Sequence, residues 1–370
     1  MEQGIVRPMA PEERRELGAV MRACFGWVPR LFFDFGKAAF VYELDGKIVG
    51  GITLSRFRID DKRLGGLVKW IFTLPEARGK GAAGAMLDRA LAWFDEVGCT
   101  ETFACVEGYN TGSSNLFASR GFRIMPFSEQ LRRYAIRLPM LAFRTFHMFD
   151  VGHFLWFRTA GEESRAEAEP APNEASGFAV TALLHVLFGY IMFARLRTAL
   201  TPELFWQIPV AVCAILGIRL VVMLAMARLV RLRVRYRPWE TGLLLAGLIP
   251  AVFGGIFIAP GGLYPREHVW RYRDVLGRLG PIMCAGAAVM LVAGWAAFLL
   301  TGAELGPVAA QLSAIAFYYL RAFLVFEIIL PVFPFVGFAG RKVLDWRPIL
   351  WVVLAAASVA LWVASFIIAA

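Results

Sequence analysis

The chain has 370 residues, of which 58% are hydrophobic, and its formal net charge is +10. Its mean hydropathy of +0.57 excludes an ordinary soluble protein, and its length allows more than one domain. Nucleic-acid binding is not expected, because no basic face with base-stacking aromatics stands out in a soluble part. The five cysteines show no CxxC spacing and predict neither a zinc site nor a disulfide framework.

Charged residues are unevenly distributed and divide the chain into two parts. They are dense up to about residue 165, whereas apolar runs near the ~20 residues that cross a bilayer dominate after residue 177. The first residues, MEQGIVRPMAPEERRELG, contain no apolar signal-peptide core. We therefore expect a first domain that stays in the cytoplasm and a second that lies in the membrane.

The first part predicts alternating strands and helices. AFVYELDGKIVGGITLSRF predicts two strands joined at Asp45-Gly46, since this pair tolerates the positive φ of a tight turn. Residues 67–74 predict a strand that Pro75 ends, and GAAGAMLDRALAWFDEVG predicts a helix. CTETFACVEGYN then predicts a strand, NTGSSNLFASRGF a short helix, and FRIM and LRRYAIRL two closing strands.

The turn between the third strand and the long helix, PEARGKGAAG, suits a phosphate group. Its small residues would bring backbone N–H groups at a helix N-terminus close to an anion, which the helix dipole also favours. A glycine-rich turn before a helix is often only a tight connection, so this pattern alone leaves both interpretations open.

Two motifs in this part resemble those of the GNAT acetyltransferase superfamily, over roughly residues 4 to 138. The signature Q/R-x-x-G-x-G/A appears as Arg78, Gly81 and Ala83. The downstream pattern N-x-x-A/S-x-x-L-Y-x-x-x-G-F appears as Asn110, Ser113, Leu116, Phe117, Gly121 and Phe122. The resemblance implies an α/β fold with a mixed sheet and an acyl-CoA site where two central strands part.

The resemblance also implies which residues bind acetyl-CoA or a longer acyl-CoA, with no metal. Backbone groups of Phe72, Thr73 and Leu74 would pair with the pantetheine arm, and Asn110 and Phe117 would lie on the CoA side. Main-chain amides of the turn would cradle the pyrophosphate, and the turn consists of Arg78, Gly79, Lys80, Gly81, Ala82, Ala83 and Gly84.

The implied reaction is a direct attack by an amine on a thioester, which needs positioning and proton transfer rather than a covalent nucleophile. Phe117 stands where many family members carry a proton-donating tyrosine, and phenylalanine donates no proton. Glu107, after the strand on the substrate side, is the leading candidate for the base, although a solvated strand-end role is equally open. Tyr109 is a second candidate acid or base.

The connection between the two parts predicts two different segments. Residues 139–160 interleave aromatic and basic side chains, which predicts a helix lying in the membrane interface; packing of these aromatics against the sheet or the membrane helices is the alternative. Residues 161–176 are acidic and rich in proline and alanine, which predicts a flexible linker. The expected domains are therefore 1–138, 139–160, 161–176 and 177–370.

The second part predicts an all-α polytopic membrane domain of about five to six spans. The apolar segments are 178–197, 206–230, 240–260, 281–301, 307–333 and 348–369. Basic loops at 228–239, 265–278 and 340–348 all favour the cytoplasm and its anionic lipids, which six full crossings would not allow. We therefore expect the third segment, whose Pro and Gly would break a helix, to dip into the membrane and return.

This part also faintly resembles the membrane core of site-2 metalloproteases. ALLHVLFGY carries His185 where that family has HExxH, but without the glutamate and the second histidine. Ala339 stands where the aspartate of NLLPxxPLDG would precede Gly340. Catalytic zinc needs about three protein ligands, so the resemblance implies a scaffold that kept no protease activity.

Ionisable residues inside the predicted spans are Arg219, Arg321, Glu327 and His185. Such groups are costly in hydrocarbon, so we expect them to face a protein interior or a wet cavity, with Arg219 or Arg321 opposite Glu327. They would act either as contacts between helices or as a site for the polar head of a lipid substrate.

Together these features predict an N-acyltransferase of the cytoplasmic membrane whose GNAT-like domain faces the cytoplasm. It would transfer an acyl group from CoA to an amine of a lipid or another membrane-associated acceptor. The alternative is a regulatory protein that binds acetyl-CoA and whose protease-like core senses or holds a membrane partner. Transport of acyl groups through the membrane is a third interpretation.

Overall fold

A computed structural model of the chain describes residues 4–25, 29–145, 151–161, 173–198, 200–267 and 270–369. These residues separate into two compact units. The first unit comprises residues 4–106, 112–145 and 154–161, and the second comprises Glu107–Thr111, 151–153 and 173–369. The chain therefore passes into the second unit twice before the long apolar helices begin.

The first unit contains a seven-stranded mixed sheet in the order β1-β2-β3-β4-β5-β7-β6. Neighbours from β1 to β4 are antiparallel, β4 and β5 are parallel, and β6 and β7 are antiparallel. This confirms the predicted mixed α/β fold. The strands are β1 Ile5–Pro8, β2 Ala38–Leu44, β3 Lys47–Arg58, β4 Leu64–Thr73, β5 Glu101–Glu107, β6 Arg123–Ile124 and β7 His153–Thr159.

Five helices accompany this sheet, and two of them approach it at glycines. A Cβ on Gly51 would lie 2.4 Å from a methyl of Leu17, and one on Gly66 would lie 2.5 Å from the ring of Phe94, so any side chain there would push a helix away. The helices are α1 Arg14–Phe25, α2 Ala82–Glu96, α3 Thr111–Ala118, α4 Phe127–Tyr134 and α5 Leu138–Arg144.

The hairpin of β2 and β3 forms as predicted. Both residues of its turn have positive φ, at 52° for Asp45 and 73° for Gly46, which matches the twist of the flanking strands. β4 then pairs antiparallel with β3, and the glycine-rich turn follows the end of β4.

The last strands of this sheet differ from the prediction. LRRYAIRL is not a strand: it ends α4, and a short 3-10 turn at Ala135–Arg137 leads into α5. Helical spacing prevails because Gln130 and Tyr134, four residues apart, are buried together.

The predicted interfacial helix at 139–160 is also corrected. The first residues of this segment belong to α5, and residues 153–159 form the strand β7. Residues 146–150 lie outside the described residues. The aromatics Phe154, Trp156 and Phe157 are buried in that strand, in agreement with the alternative that they pack against the sheet. Aromatic side chains favour a pleated, half-buried surface, and here the sheet provided one.

The second unit is helical, apart from a two-stranded sheet of β8 Val234–Arg237 and β9 Gly262–Pro265. Within the described part of the chain, five helices are long and apolar enough to cross a membrane: Glu174–Arg195, Pro202–Leu229, Tyr272–Thr301, Pro307–Ile329 and Pro348–Ile367. Its helices are α6 Glu174–Arg195, α7 Pro202–Leu229, α8 Glu240–Phe253, α9 Tyr272–Thr301, α10 Pro307–Leu324, α11 Ala339–Trp346 and α12 Pro348–Ala369.

The predicted linker at 161–176 falls mostly on residues 162–172, which lie outside the described residues. Its last residues belong to α6, because Asn173 caps that helix by accepting a hydrogen bond from the backbone N–H of Ser176 at 3.2 Å. The membrane part therefore begins slightly earlier than predicted.

The third apolar segment does not form a spanning helix. At 14 residues α8 is about 21 Å long, short of the ~30 Å hydrocarbon core, and it ends where Gly254 adopts a φ of 67°. The chain then returns to β9, which pairs with β8 so that Arg237 lies opposite Gly262. The segment between these two strands therefore ends beside the point where it began.

Candidate active site

The glycine-rich turn lies between the end of β4 and the start of α2. A 3-10 turn at Pro75–Ala77 leads into Gly79 and Gly81, whose φ values of 78° and 82° lie in the left-handed region that glycine adopts without strain. The first turn of α2 then begins at Ala82, where N–H groups have no partner within the helix. The predicted residues from Arg78 to Gly84 are thus brought together around one helix N-terminus.

This turn is open rather than filled by neighbouring side chains. Residues 78–81 are exposed, and a Cβ built on Gly79 or Gly81 meets no atom within 4 Å. The guanidinium of Arg78 bends back and donates from Nε to the carbonyl of Thr73 at 3.1 Å, which closes the turn on its inner side. Space for an anion remains on the outer side, next to the unpaired amides.

The two central strands part near this turn. β4 and β5 pair from Gly65 opposite Glu101 to Val68 opposite Ala104, whereas β4 continues to Thr73 and β5 to Glu107. A shift of register between β3 and β4 at Val68 and Trp70 marks a bulge in the same place. Phe72 and Thr73, which the resemblance assigns to the pantetheine arm, lie on the part of β4 beyond its pairing with β5.

Leu74, the third residue predicted to meet a pantetheine arm, is differently placed. Its N–H donates to the carbonyl of Val49 at 2.8 Å, and its carbonyl accepts from the N–H of Ala77 at 3.0 Å. Any further contact would have to use the second lone pair of that carbonyl.

Arg120 is a basic residue beside the turn that sequence reasoning missed. Its guanidinium lies 2.6 Å from where a Cβ on Gly84 would be, so a side chain at position 84 would require it to shift. Asp88 holds it with hydrogen bonds of 2.9 and 3.1 Å. Its position directly before the motif glycine Gly121 was a usable signal, because that motif ends close to the turn.

Glu107, the candidate base, is grouped with the second unit. Its Oε2 accepts from the N–H of Tyr109 at 2.9 Å, and its Oε1 lies 3.5 Å from Nζ of Lys342. The side chain is 14% exposed, so it is not a solvated strand-end carboxylate. Lys342 was also missed, since nothing in GRKVLDW indicates a partner more than 200 residues away.

Tyr109, the second candidate, is buried in the same unit. Its hydroxyl donates to the carbonyl of Leu263 at 2.9 Å, and its ring stacks on that of Tyr264 with centroids 4.6 Å apart. Burial raises the pKa of Tyr109 well above its ordinary value, and burial lowers the pKa of Lys342, whose Nζ lies 4.0 Å from the Tyr109 ring centroid. To transfer a proton, Tyr109 would first have to leave Leu263.

Asn110 belongs to the second unit and Phe117 to the first. Asn110 is exposed and donates its N–H to the carbonyl of Glu107 at 2.9 Å. Thr111, the next residue, accepts at Oγ1 from the N–H of Tyr272 at 3.1 Å. Phe117 is buried edge-on against Phe122, with ring centroids 5.0 Å apart, and contributes no polar group.

The family comparison agrees with this geometry. The model of the acetyltransferase (GNAT) family matches residues 9–122. These residues form a GNAT domain. The open turn and the parting strands lie within the matched range, so the motif resemblance to GNAT acetyltransferases is confirmed.

Two solved structures are similar to part of this chain. One is N-acetylglutamate synthase from Neisseria gonorrhoeae complexed with coenzyme A and N-acetyl-glutamate, at 17% identity, covering 43% of this chain and 35% of that one, with a TM-score of 0.33. Another is a GNAT family N-acetyltransferase of Escherichia coli in complex with CoA, at 18% identity, covering 34% and 71%, with a TM-score of 0.28.

In the second unit both ring nitrogens of His185 bind backbone groups. Its Nδ1 donates to the carbonyl of Thr181 at 2.7 Å, and its Nε2 accepts from the N–H of Ala259 at 3.0 Å. Both ring nitrogens are therefore occupied. Among the described residues, no group of three or more His, Cys, Asp or Glu side chains is arranged to hold a metal ion.

A buried ion pair joins two of the long helices. Nη2 of Arg219 on α7 lies 2.7 Å from Oε1 of Glu327, which follows α10, and both side chains are almost fully buried. This confirms the predicted pairing for Arg219. Arg321 instead lies among aromatic rings of α10 and α12, with its guanidinium 4.8 Å from the ring centroid of Trp362.

This chain is 31% identical over 121 residues to a curated protein of Methanocaldococcus jannaschii. That protein is provisionally named a zinc metalloprotease. The match covers 32% of this chain and 59% of that protein, so it spans little more than half of the relative's length. It agrees with the faint site-2 protease resemblance of the membrane part.

Proposed function

We propose that this chain is a membrane-bound GNAT-type N-acyltransferase that takes an acyl group from acetyl-CoA or a longer acyl-CoA. The observation that carries this proposal is the open turn before α2, where amides at the helix N-terminus, positive-φ glycines and a nearby guanidinium suit a diphosphate. The parting of β4 and β5 beside it offers unpaired strand edges for the pantetheine arm.

The acceptor in this proposal is an amine carried by a lipid or another membrane-associated molecule. Five helices long and apolar enough to cross a membrane favour an acceptor found there. The candidate base Glu107 and the candidate Tyr109 are packed among residues of the helical unit, which favours the same conclusion. Glu107 would accept the proton of the attacking ammonium, directly or through water.

We further propose that the protein lies in the cytoplasmic membrane with the GNAT domain on the cytoplasmic side. The pairing of β8 with β9 supports a third apolar segment that returns to its own side, which leaves five crossings. With five crossings the basic loops at 228–239, 265–278 and 340–348 all lie on one side, as the positive-inside rule favours.

Acyl-CoA binding is tested with a matched pair of glycine variants. Gly81 and Gly98 both have positive φ and open space where a Cβ would lie, at opposite ends of α2. Gly81→Glu and Gly98→Glu therefore carry similar backbone strain, but only Gly81→Glu puts a carboxylate in the turn. By calorimetry on the purified full chain, Gly81→Glu should raise the Kd for acetyl-CoA at least about tenfold, equivalent to ~1.4 kcal/mol, and Gly98→Glu should leave it unchanged.

Turnover is tested with acetyl-CoA and a panel of amines that includes amine-bearing lipids. The proposal expects release of CoA with at least one amine, and a large loss of that release in Glu107→Gln with acetyl-CoA affinity retained. Equal turnover by Glu107→Gln would show that Glu107 is not the base. If the unmodified chain did not bind acetyl-CoA, the proposal of an acyltransferase would be wrong.

A regulatory protein that binds acetyl-CoA without turnover is the second candidate. It is favoured by the engagement of Tyr109 with Leu263 and of Glu107 with Lys342, and by the phenylalanine at position 117. Acetyl-CoA binding with no CoA release from any amine would support it over the enzyme.

A further inference from the structure

Exposed apolar side chains lie along α4, α5 and the turn between them. Phe127, Leu131, Ile136 and Phe143 are 41%, 53%, 93% and 60% exposed, and we refer to these four residues as the α4–α5 face. The two helices pack against each other, and their inner residues, such as Tyr134, lie in the core under the sheet. Apolar side chains clustered at a surface indicate an interaction site.

The backbone between the two helices displays the most exposed of these residues. Ala135 has a φ of 44°, in the left-handed region that non-glycine residues rarely adopt, and this residue ends α4. The chain turns there and presents Ile136 outward instead of continuing the helix with its side chain near the core. Backbone strain of this kind persists where the surrounding structure fixes it, and it is frequent at functional sites.

Basic side chains surround the same face. Arg132 and Arg144 are exposed, whereas Arg137, also exposed, pairs with Asp60 at 3.2 Å. The acidic residue in this stretch, Glu129, is bound to Arg123 through hydrogen bonds of 2.6 and 2.7 Å. Apolar side chains beside arginines on short helices are the composition of surfaces that lie on anionic lipid.

We propose that the α4–α5 face of the GNAT domain lies on an anionic lipid bilayer, with its apolar side chains inserted at the level of the headgroups and its arginines on lipid phosphates. The bilayer is the favoured occupant for two reasons on this chain: the charge is complementary to anionic lipid, and the membrane helices begin at Glu174, only 30 residues after Arg144. This inference does not depend on acyl transfer.

The test places a photo-crosslinking amino acid at position 136 of the full chain, reconstituted in nanodiscs of mixed anionic and zwitterionic phospholipid. Ile136 is nearly fully exposed, so the change should leave the fold intact. The same amino acid at Glu96, a residue with a 56% exposed side chain at the end of α2, is the control. Mass spectrometry of the irradiated protein should show phospholipid adducts at 136 at least tenfold above those at 96.

A charge variant tests the arginines separately. Arg132→Gln with Arg144→Gln should lower the docking equilibrium constant, read from the adduct yield at 136, by about fivefold per arginine. In purely zwitterionic nanodiscs this variant and the chain with both arginines should give the same adduct yield at position 136. Adducts at 136 with a second copy of this chain or with another protein, or no excess of lipid adducts over position 96, would overturn the proposal.

Discussion

At the scale of single residues, the hydrogen bonds of His185 give this histidine a structural role between two segments of the helical unit. Its Nε2 accepts from the N–H of Ala259 on the segment that follows α8. Nonhelical backbone at membrane depth needs such internal partners, because lipid offers none. The ring therefore holds the returning chain against α6.

We predict that His185→Ala lowers the stability of the second unit by about 1–3 kcal/mol, because it leaves the Ala259 N–H buried without an acceptor. His185→Gln, which can offer an amide oxygen, should recover part of that loss. The measurement is the thermal unfolding midpoint of the purified chain in detergent. Chelators and added zinc should leave the unmodified midpoint unchanged; a metal-dependent shift would contradict this role of His185.

The pair of Arg219 and Glu327 gives a second prediction at this scale. Removing either partner leaves a buried charge without compensation, so Arg219→Met and Glu327→Leu should each cost about 3–5 kcal/mol. The double variant removes both charges and should be more stable than either single variant. Unfolding of the four proteins forms a double-mutant cycle, and additive losses would show that the two side chains do not interact.

At the scale of elements, the short sheet of β8 and β9 decides the path of the third apolar segment. Residues 234–237 and 262–265 are joined by ladder hydrogen bonds, so the intervening chain must leave and return at one place. Tyr236 of β8 also binds the returning segment, since its hydroxyl lies 3.0 Å from the carbonyl of Pro260. Burial raises the pKa of Tyr236 to about 12, so the hydroxyl stays protonated even at alkaline pH.

We predict that cysteines introduced at Arg233 and Glu267, on either side of the returning segment, react with an impermeant maleimide from the same face of the membrane. A cysteine at Glu304, between α9 and α10, should react from the opposite face. Labelling of inverted and right-side-out vesicles measures this, with the unmodified chain as control for its native cysteines. Reaction of 233 and 267 from opposite faces would show that the segment crosses.

The elements that were mispredicted share a cause. LRRYAIRL and the aromatic run after it fit more than one periodicity, and a short apolar stretch does not by itself distinguish strand from helix. LRRYAIRL contributes the end of α4. The aromatic run forms β7 because this strand pairs with β6, with Phe157 opposite Arg123. Such pairing depends on residues some 30 positions apart and leaves no local pattern.

At the scale of the whole molecule, the two units are not separated by one boundary. The sequence predicts a single linker near residues 161–176, yet Glu107–Thr111 and the described residues 151–153 are grouped with the helical unit. The N–H of Gly108 donates to the carbonyl of Gly152 at 3.1 Å, so these two excursions of the chain meet within that unit.

We predict that a fragment of residues 1–161 is less stable than the same residues in the full chain. Without the helical unit Tyr109 loses Leu263, Tyr264 and Lys342, and its buried ring becomes exposed. The fragment should bind a hydrophobic dye and unfold at a lower temperature than the first unit of the full chain. Cooperative unfolding of the fragment at an unchanged midpoint would contradict this.

The sequence by itself determined the features that depend on neighbouring residues. These are the Asp45-Gly46 hairpin, the glycine turn before α2 and the five long apolar helices, each set by backbone freedom, helix capping or hydrophobic length. The tertiary structure alone decided the partners of Glu107 and His185 and the origin of the last strand. Each of these depends on contacts between residues far apart in the chain, which no local periodicity records.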